Sequence, residues 1–135
     1  MDFGTDDRDR GDMPEAFAPH FEGTARFQHF ESPFEAGPAV FAVHFQAGAR
    51  TKPHVHHSGQ VLYVTRGEGV VSDRAGRHVV RAGDVVTVGR DEWHWHGGTP
   101  ESAMSHLTVQ MPGSGDVEWD VDEGDWASGY DHLER

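Results

Sequence analysis

Apolar and polar residues alternate along several short stretches of this chain. In Ala39–Phe45, Phe41, Val43 and Phe45 alternate with Ala42 and His44, the two-residue period of a strand with one buried face. The Phe/Val face is expected to line a barrel interior, with His44 pointing out. Ala25–Phe30 predicts an earlier strand, and Phe34, Gly37 and Pro38 mark the loop between the two. Residues 60–66 place Gln60, Leu62 and Val64 on one face and Val61, Tyr63 and Thr65 on the other. Both faces are rather apolar, as when the outside of a sheet packs on something else. Residues 68–72 and 78–81 flank the turn-like Asp73-Arg74-Ala75-Gly76-Arg77 and predict a hairpin. Residues 84–88 and 93–96 predict two more strands. Many short strands at roughly ten-residue spacing, with no helical period, predict an all-β chain folded as a jelly-roll barrel.

Met104–Gln110 is a further strand with two different faces. Met104, His106, Thr108 and Gln110 share one; Ser105, Leu107 and Val109 share the other. A polar row inside a barrel is costly unless it lines a wet or functional cavity, so the pattern alone allows either face to be the inner one.

The texture of the chain divides it into three parts. Residues 1–24 form an acidic arm leading into the first strand, and residues 1–14 of it carry too few apolar side chains to offset the entropy of ordering them. That arm is expected to be mobile and without chemistry. Residues 25–112 hold the strands of the barrel, a single domain. Residues 113–135 turn acidic again, but Val117, Trp119, Val121, Trp126 and Tyr130 are interleaved with the carboxylates. This extension is expected to pack across the barrel exterior or at a dimer interface, with Trp119 and Trp126 as anchors.

Composition then excludes several classes. The 135 residues carry 11 Lys and Arg against 23 Asp and Glu, a net charge of −12, which makes nucleic acid and anionic membranes poor partners. The chain has no Cys, so disulfides, thiolate catalysis and Cys-type zinc sites are all absent. No apolar run approaches a membrane span, and the acidic start is unlike a secretory signal, so a cytoplasmic protein is expected.

Candidate chemistry concentrates in residues 48–60 and 83–94. His54 and His56 are two apart, so on an extended chain both side chains leave one face. Gln60 has the same parity, and His94 can reach them from a neighbouring strand. Three imidazoles and one amide oxygen suit a divalent first-row metal. With 11 His in the chain any one of them is more simply a surface or hydrogen-bonded residue; the joint spacing separates these from the rest. His57 has the opposite parity and is expected outside, and His20, His29, His78 and His132 are read as surface residues. His96 shares the parity of His94, so it is either a cavity group or a hydrogen-bonded rim residue.

The pattern Gly48-x5-His54-x-His56-x3-Gln60-x6-Gly67, followed by Gly83-Asp84-x4-Gly89-x4-His94, resembles the two motifs of the cupin superfamily. Fifteen residues separate Gly67 from Gly83, as in small single-domain cupins. Gln60 stands where most cupins have Glu, Gly89 and Asp91 replace the usual Pro and Gly, and Gly98 replaces a frequent Asn. Within the superfamily, residues 48–51, 83–86, 94–97 and 103–107 are similar to bacterial cupin hydroxynitrile lyases, small manganese proteins with a three-His, one-Gln site. The resemblance spans roughly residues 24–121. It implies a single-domain cupin jelly-roll β-barrel with His54, His56, Gln60 and His94 around Mn2+, with Fe2+, Zn2+ or Ni2+ as alternatives. It also turns the polar face of Met104–Gln110 inward, because His106 matches a histidine that lies in the cavity near the metal.

Neutral ligands leave a 2+ ion its full formal charge, a stronger Lewis acid than a Glu-containing site would hold. The reaction implied is cyanohydrin cleavage or formation, with His106 as general base and His96 as a second catalytic candidate. Thr108 and Gln110 would orient a small-molecule substrate, and Phe41 and Val43 would shape an apolar pocket. A cupin dioxygenase using O2 and a non-catalytic ligand-binding cupin are the alternative classes. A homodimer or higher homo-oligomer is the expected assembly.

Overall fold

The computed structural model describes residues 1–112, 117–131 and 133. Its strands are β1 (Phe21–Glu22), β2 (Ala25–Phe30), β3 (Ala39–Phe45), β4 (Arg50–Thr51), β5 (Val55–His56), β6 (Gln60–Asp73), β7 (Gly76–Arg81), β8 (Val85–Val88), β9 (Trp95–Gly98), β10 (Met104–Gln110) and β11 (Val117–Glu118). Helix among the described residues is limited to two 3-10 turns, Ala18–His20 and Trp126–Ser128. A nine-stranded sheet runs β1-β4-β9-β6-β10-β3-β2, with β7 and β8 also paired to β6, and β11 pairs separately with β5. All pairings are antiparallel. The all-β barrel expected from the alternation is the fold observed.

The long strand β6 is the spine. Its first half pairs with β10 and β8, and its second half with β7 and β9. Gly67 makes the bend between the halves at φ +74°, and a Cβ there would stand 1.9 Å from the Ala103 carbonyl oxygen. Only glycine fits both the left-handed backbone and the contact. The register of β6 against β10 slips once: Ser105 opposes Arg66 but His106 opposes Val64. Thr65 is the extra residue of this bulge, and its hydroxyl donates to the Ser105 carbonyl at 3.2 Å. Such a bulge changes which side chains face which way. Here it sets His106, Thr108 and Gln110 beside Val64, Leu62 and Gln60 on the inner face.

The core follows the two-residue period. Phe41, Val43, Phe45, Leu62, Val64, Val71, Val80 and Met104 are buried together inside the barrel. On β9 the alternation splits the strand between two environments: His96 faces inward, while Trp95 joins Val70, Trp93 and Trp126 in a second apolar cluster outside. The C-terminal extension covers that cluster. Trp126 is buried, its indole N–H donates to the Thr51 carbonyl at 2.9 Å, and its own carbonyl accepts from Arg50 Nη1 at 2.7 Å. The Arg50 guanidinium lies 3.9 Å from the Trp126 ring centre, a cation–π contact. Arg77 adds bonds to the Asp125 carboxylate and the Gly129 carbonyl, and Arg74 pairs with Asp122. His132 and Asp116 lie outside the described residues.

The N-terminal arm packs beside β3. His44 does point away from the barrel interior, yet it is only 4% exposed. The acidic arm lies over it: His44 bonds Ser105 Oγ at 2.7 Å and faces the Asp6 carboxylate at 3.5 Å. Asp6 also receives Arg66, while Thr5 and Asp7 bond the Gln28 amide, and Met13 packs on the core. Polar bonds, together with Met13, link this segment, which has few apolar side chains, to the barrel.

Candidate metal centre and cavity

His54 and His94 face each other across an isolated antiparallel bridge. Their backbones exchange N–H···O=C bonds of 3.0 and 3.2 Å. Each imidazole is oriented in the same way: Nδ1–H donates to the carbonyl two residues earlier, Lys52 at 2.8 Å for His54 and Glu92 at 2.9 Å for His94. That bond selects the tautomer whose Nε2 carries a free lone pair, the form a metal ligand needs. His56 follows on β5, and the three imidazoles bring ligand atoms to within 4.8 Å of one another. The group could hold a metal ion.

The unpaired atoms support that reading. His94 Nε2, both ring nitrogens of His56 and the Gln60 amide oxygen are buried and have no hydrogen-bond partner in the structure. Buried polar atoms left unpaired are costly and rare, and a divalent cation would satisfy this set of nitrogen and oxygen lone pairs together. Burial, reinforced by the neighbouring imidazoles His94 and His56, holds His54 well below the usual histidine range. Burial and His94 push His56 down to about 4, and burial lowers His94 as well. The imidazoles are therefore neutral near pH 7 and ready to coordinate.

A cavity of about 220 Å³ opens beside the cluster. His54, His56, Gln60, His96 and His106 line its polar end, and Phe17, Phe21, Phe27, Phe41, Val43 and Trp119 line its apolar walls. Within it, Thr108 Oγ1 bonds His106 Nδ1 at 2.9 Å, and His106 Nε2 bonds His96 Nδ1 at 3.1 Å. The His96 ring centre lies 5.5 Å from that of His54 and 5.7 Å from that of His94. His96 thus stands between the ligand cluster and His106. Burial, then the charge of His106, depresses His96 well below its ordinary value; burial and His44 bring His106 to about 3.

Of the residues singled out in the sequence, His54, His56, Gln60, His96, His106, Phe41, Val43 and Gln110 meet at this cavity. His94 joins through its ring contacts with His54 and His56. Thr108 is fully buried and reaches His106 instead of the open space. His57 does not line the cavity; its Nδ1 meets Asp91 at 2.6 Å and its Nε2 meets Glu118 at 3.3 Å. Asp91 has φ +58°, a left-handed backbone in which glycine is the least strained residue.

The sequence reading missed Trp119, Phe17, Phe21 and Phe27 as cavity walls, and His20, which stacks on Trp119. Phe27 was legible: it shares parity with Ala25 and lies opposite Val43. The others depend on where the terminal segments run.

The depressed histidines carry a pH consequence for the metal-free protein. A histidine with a lowered folded value binds fewer protons when folded than when unfolded. Its stabilisation is complete above the unfolded value near 6.5 and is lost as pH falls toward the folded value. Urea unfolding of chelated protein is expected to show stability falling between pH 6.5 and about 4, the window set by His56. A flat profile there would mean that these imidazoles are not buried neutral groups.

Comparison with known proteins agrees with the geometry. A cupin-domain family model matches residues 41–110. The (R)-mandelonitrile lyase of Granulicella tundricola is 41% identical over 105 residues, covering 76% of this chain and 80% of that protein. A cupin-like protein from Thermotoga maritima superposes with a TM-score of 0.76 at 29% identity, covering 89% of this chain and 93% of that one. A cupin-2 domain protein from Rhodospirillum rubrum, at 14% identity, shares the fold with a TM-score of 0.72 over 89% of this chain and 86% of its own. Barrel, histidine cluster and sequence similarity converge: this chain belongs to the cupin family and is a small cupin similar to a bacterial hydroxynitrile lyase.

Proposed function

We propose that the protein is a metal-dependent hydroxynitrile lyase acting on aryl cyanohydrins, with His54, His56, Gln60 and His94 holding manganese. The observation that carries this reading is the buried, unpaired donor set opening onto an aromatic-walled cavity beside the Thr108–His106–His96 chain. A bound divalent ion supplies a Lewis acid of undiminished 2+ charge, suited to negative charge developing on cyanide.

The residues of the chain divide the remaining work. Both ring nitrogens of His106 are engaged, one by Thr108 and one by His96. His96 uses Nδ1 toward His106, which leaves Nε2 for a substrate. His96 is therefore the group that accepts the cyanohydrin hydroxyl proton, while His106 and Thr108 fix its tautomer and disperse the charge. As the oxygen lone pair forms the carbonyl, the bond to the nitrile carbon breaks and its electron pair leaves with cyanide. The proton held on His96 then goes to cyanide, giving hydrogen cyanide and aldehyde. Phe27 and Phe41, stacked at 4.4 Å between ring centres, offer a flat wall for the aryl group. Gln110 sits beyond Phe41 on the same face, where it can meet a polar substituent.

The outer face of β6 and β8 exposes Tyr63 and Val85, a surface that a second copy would cover in a homodimer. The test of function is benzaldehyde release from mandelonitrile by manganese-loaded protein, with chelated protein as control. Metal-dependent release is expected, with preference for one enantiomer. Release no faster than in the chelated control would remove the lyase reading for this substrate. Oxygen uptake by the iron-loaded form would then favour the dioxygenase alternative.

A further inference from the structure

We propose that Trp119 is a positioning residue: it holds His54 in its ligand orientation and closes the cavity, so that the C-terminal segment governs metal affinity and substrate selection. Strand β11 is joined to the ligand segment itself, with Val117 opposite His56 and Glu118 opposite Val55. The next residue carries an indole whose ring centre lies 4.5 Å from that of His54, tilted by 44°. The same indole stacks on His20 at 4.5 Å and 3°. Lys52 ties both residues in place: its N–H donates to the His20 main-chain carbonyl at 2.8 Å, and its carbonyl accepts from His54 Nδ1 at 2.8 Å. A hydrogen bond thus holds one edge of the His54 ring, and the indole restrains its swing.

Phe17 and Phe21 approach the indole at 6.4 and 6.2 Å, so an N-terminal and a C-terminal segment meet over the cavity. No other tryptophan lines this space, since Trp93, Trp95 and Trp126 belong to the outer cluster. The His54 ring also meets those of His56, His94 and His96, and the indole is the contact that the C-terminal segment adds to them. A side chain of similar apolarity without a ring fills volume but loosens that side of the imidazole. Outer partners that orient a histidine ligand typically change metal affinity by about 10–100-fold when removed.

The proposal rests on the lyase reading for the reaction that Trp119 serves, and its metal arms read out without turnover. Trp119→Leu keeps an apolar plug and Trp119→Phe keeps a flat ring. Mn2+ affinity, measured by chelator competition, is expected to fall about tenfold in the Leu variant and to recover in the Phe variant. The emission difference between wild type and the Phe variant isolates Trp119, and paramagnetic Mn2+ is expected to quench it. With mandelonitrile, the Leu variant is expected to lose about tenfold in discrimination between enantiomers. Wild-type affinity in the Leu variant, or a difference spectrum indifferent to Mn2+, overturns the proposal. A wild type that binds Mn2+ but does not cleave mandelonitrile overturns the lyase reading alone, and the affinity and emission results then decide the role of Trp119.

Discussion

Replacing His54 by alanine is expected to abolish tight metal binding and lower kcat/KM for mandelonitrile by at least about 10³-fold, equivalent to about 4 kcal/mol of transition-state stabilisation. The residue carries several roles at once. It supplies one of three imidazoles whose ligand atoms lie within 4.8 Å, it bridges the backbone of His94, and it packs on Trp119. The substitution leaves the bridge, which is made by main-chain atoms, and removes only the imidazole. The barrel is therefore expected to persist, because the large core of Phe41, Phe45, Leu62 and Met104 is untouched. Metal content after dialysis, far-ultraviolet circular dichroism and benzaldehyde release together check the expectation. A folded variant that keeps stoichiometric manganese would remove His54 from the ligand set.

The second large effect separates His96 from His106. His96→Ala is expected to lower kcat by about 10²–10⁴-fold, the usual contribution of a positioned general base, with metal content unchanged. His106→Ala is expected to cost about tenfold, since both ring nitrogens of His106 are taken up by Thr108 and His96 and its proposed role is to support His96. His106→Gln should restore part of that loss by returning a hydrogen-bond partner to His96 Nδ1. KM is expected to move little in all three. A larger loss in His106→Ala than in His96→Ala would return the base to His106 and make His96 its support.

Much of this site is readable along the chain because strands have a period of two. His54 and His56 share a parity, as do His94 and His96, and short spacing keeps each pair on one side of an extended segment, whereas Gln60 opens β6 only after a bend that holds Gly59 at φ +95°. The alternation at Phe41, Val43 and Phe45 and at Gln60, Leu62 and Val64 marks the core face for the same reason. Chain-local patterns are legible when the geometry that interprets them is local.

What lies beyond the sequence reading depends on contacts between distant residues. The bulge at Thr65 shifts β6 by one residue against β10, and nothing in the local pattern of either strand announces it. Without that slip, His106 would lie opposite an outward-facing residue. The burial of His44 depends on Asp6 and Gln28 reaching it from elsewhere in the chain. The direction of the His106 bond, toward His96 instead of the open cavity, is fixed by how β9 and β10 approach each other.

By itself, then, the sequence determined an all-β barrel, its inner faces and a histidine set on them, because period-two alternation and short spacings act over a few residues. Only the tertiary structure decided that both ends of the chain return over the cavity, placing Phe17, Phe21 and Trp119 as its walls. The closing partners are far apart in sequence: Trp119 meets His20 and His54 through pairing of β11 with β5, a contact that local propensity cannot encode. Apolar residues in an acidic terminal segment announce that they will be buried; the surface that buries them exists only once the barrel has formed.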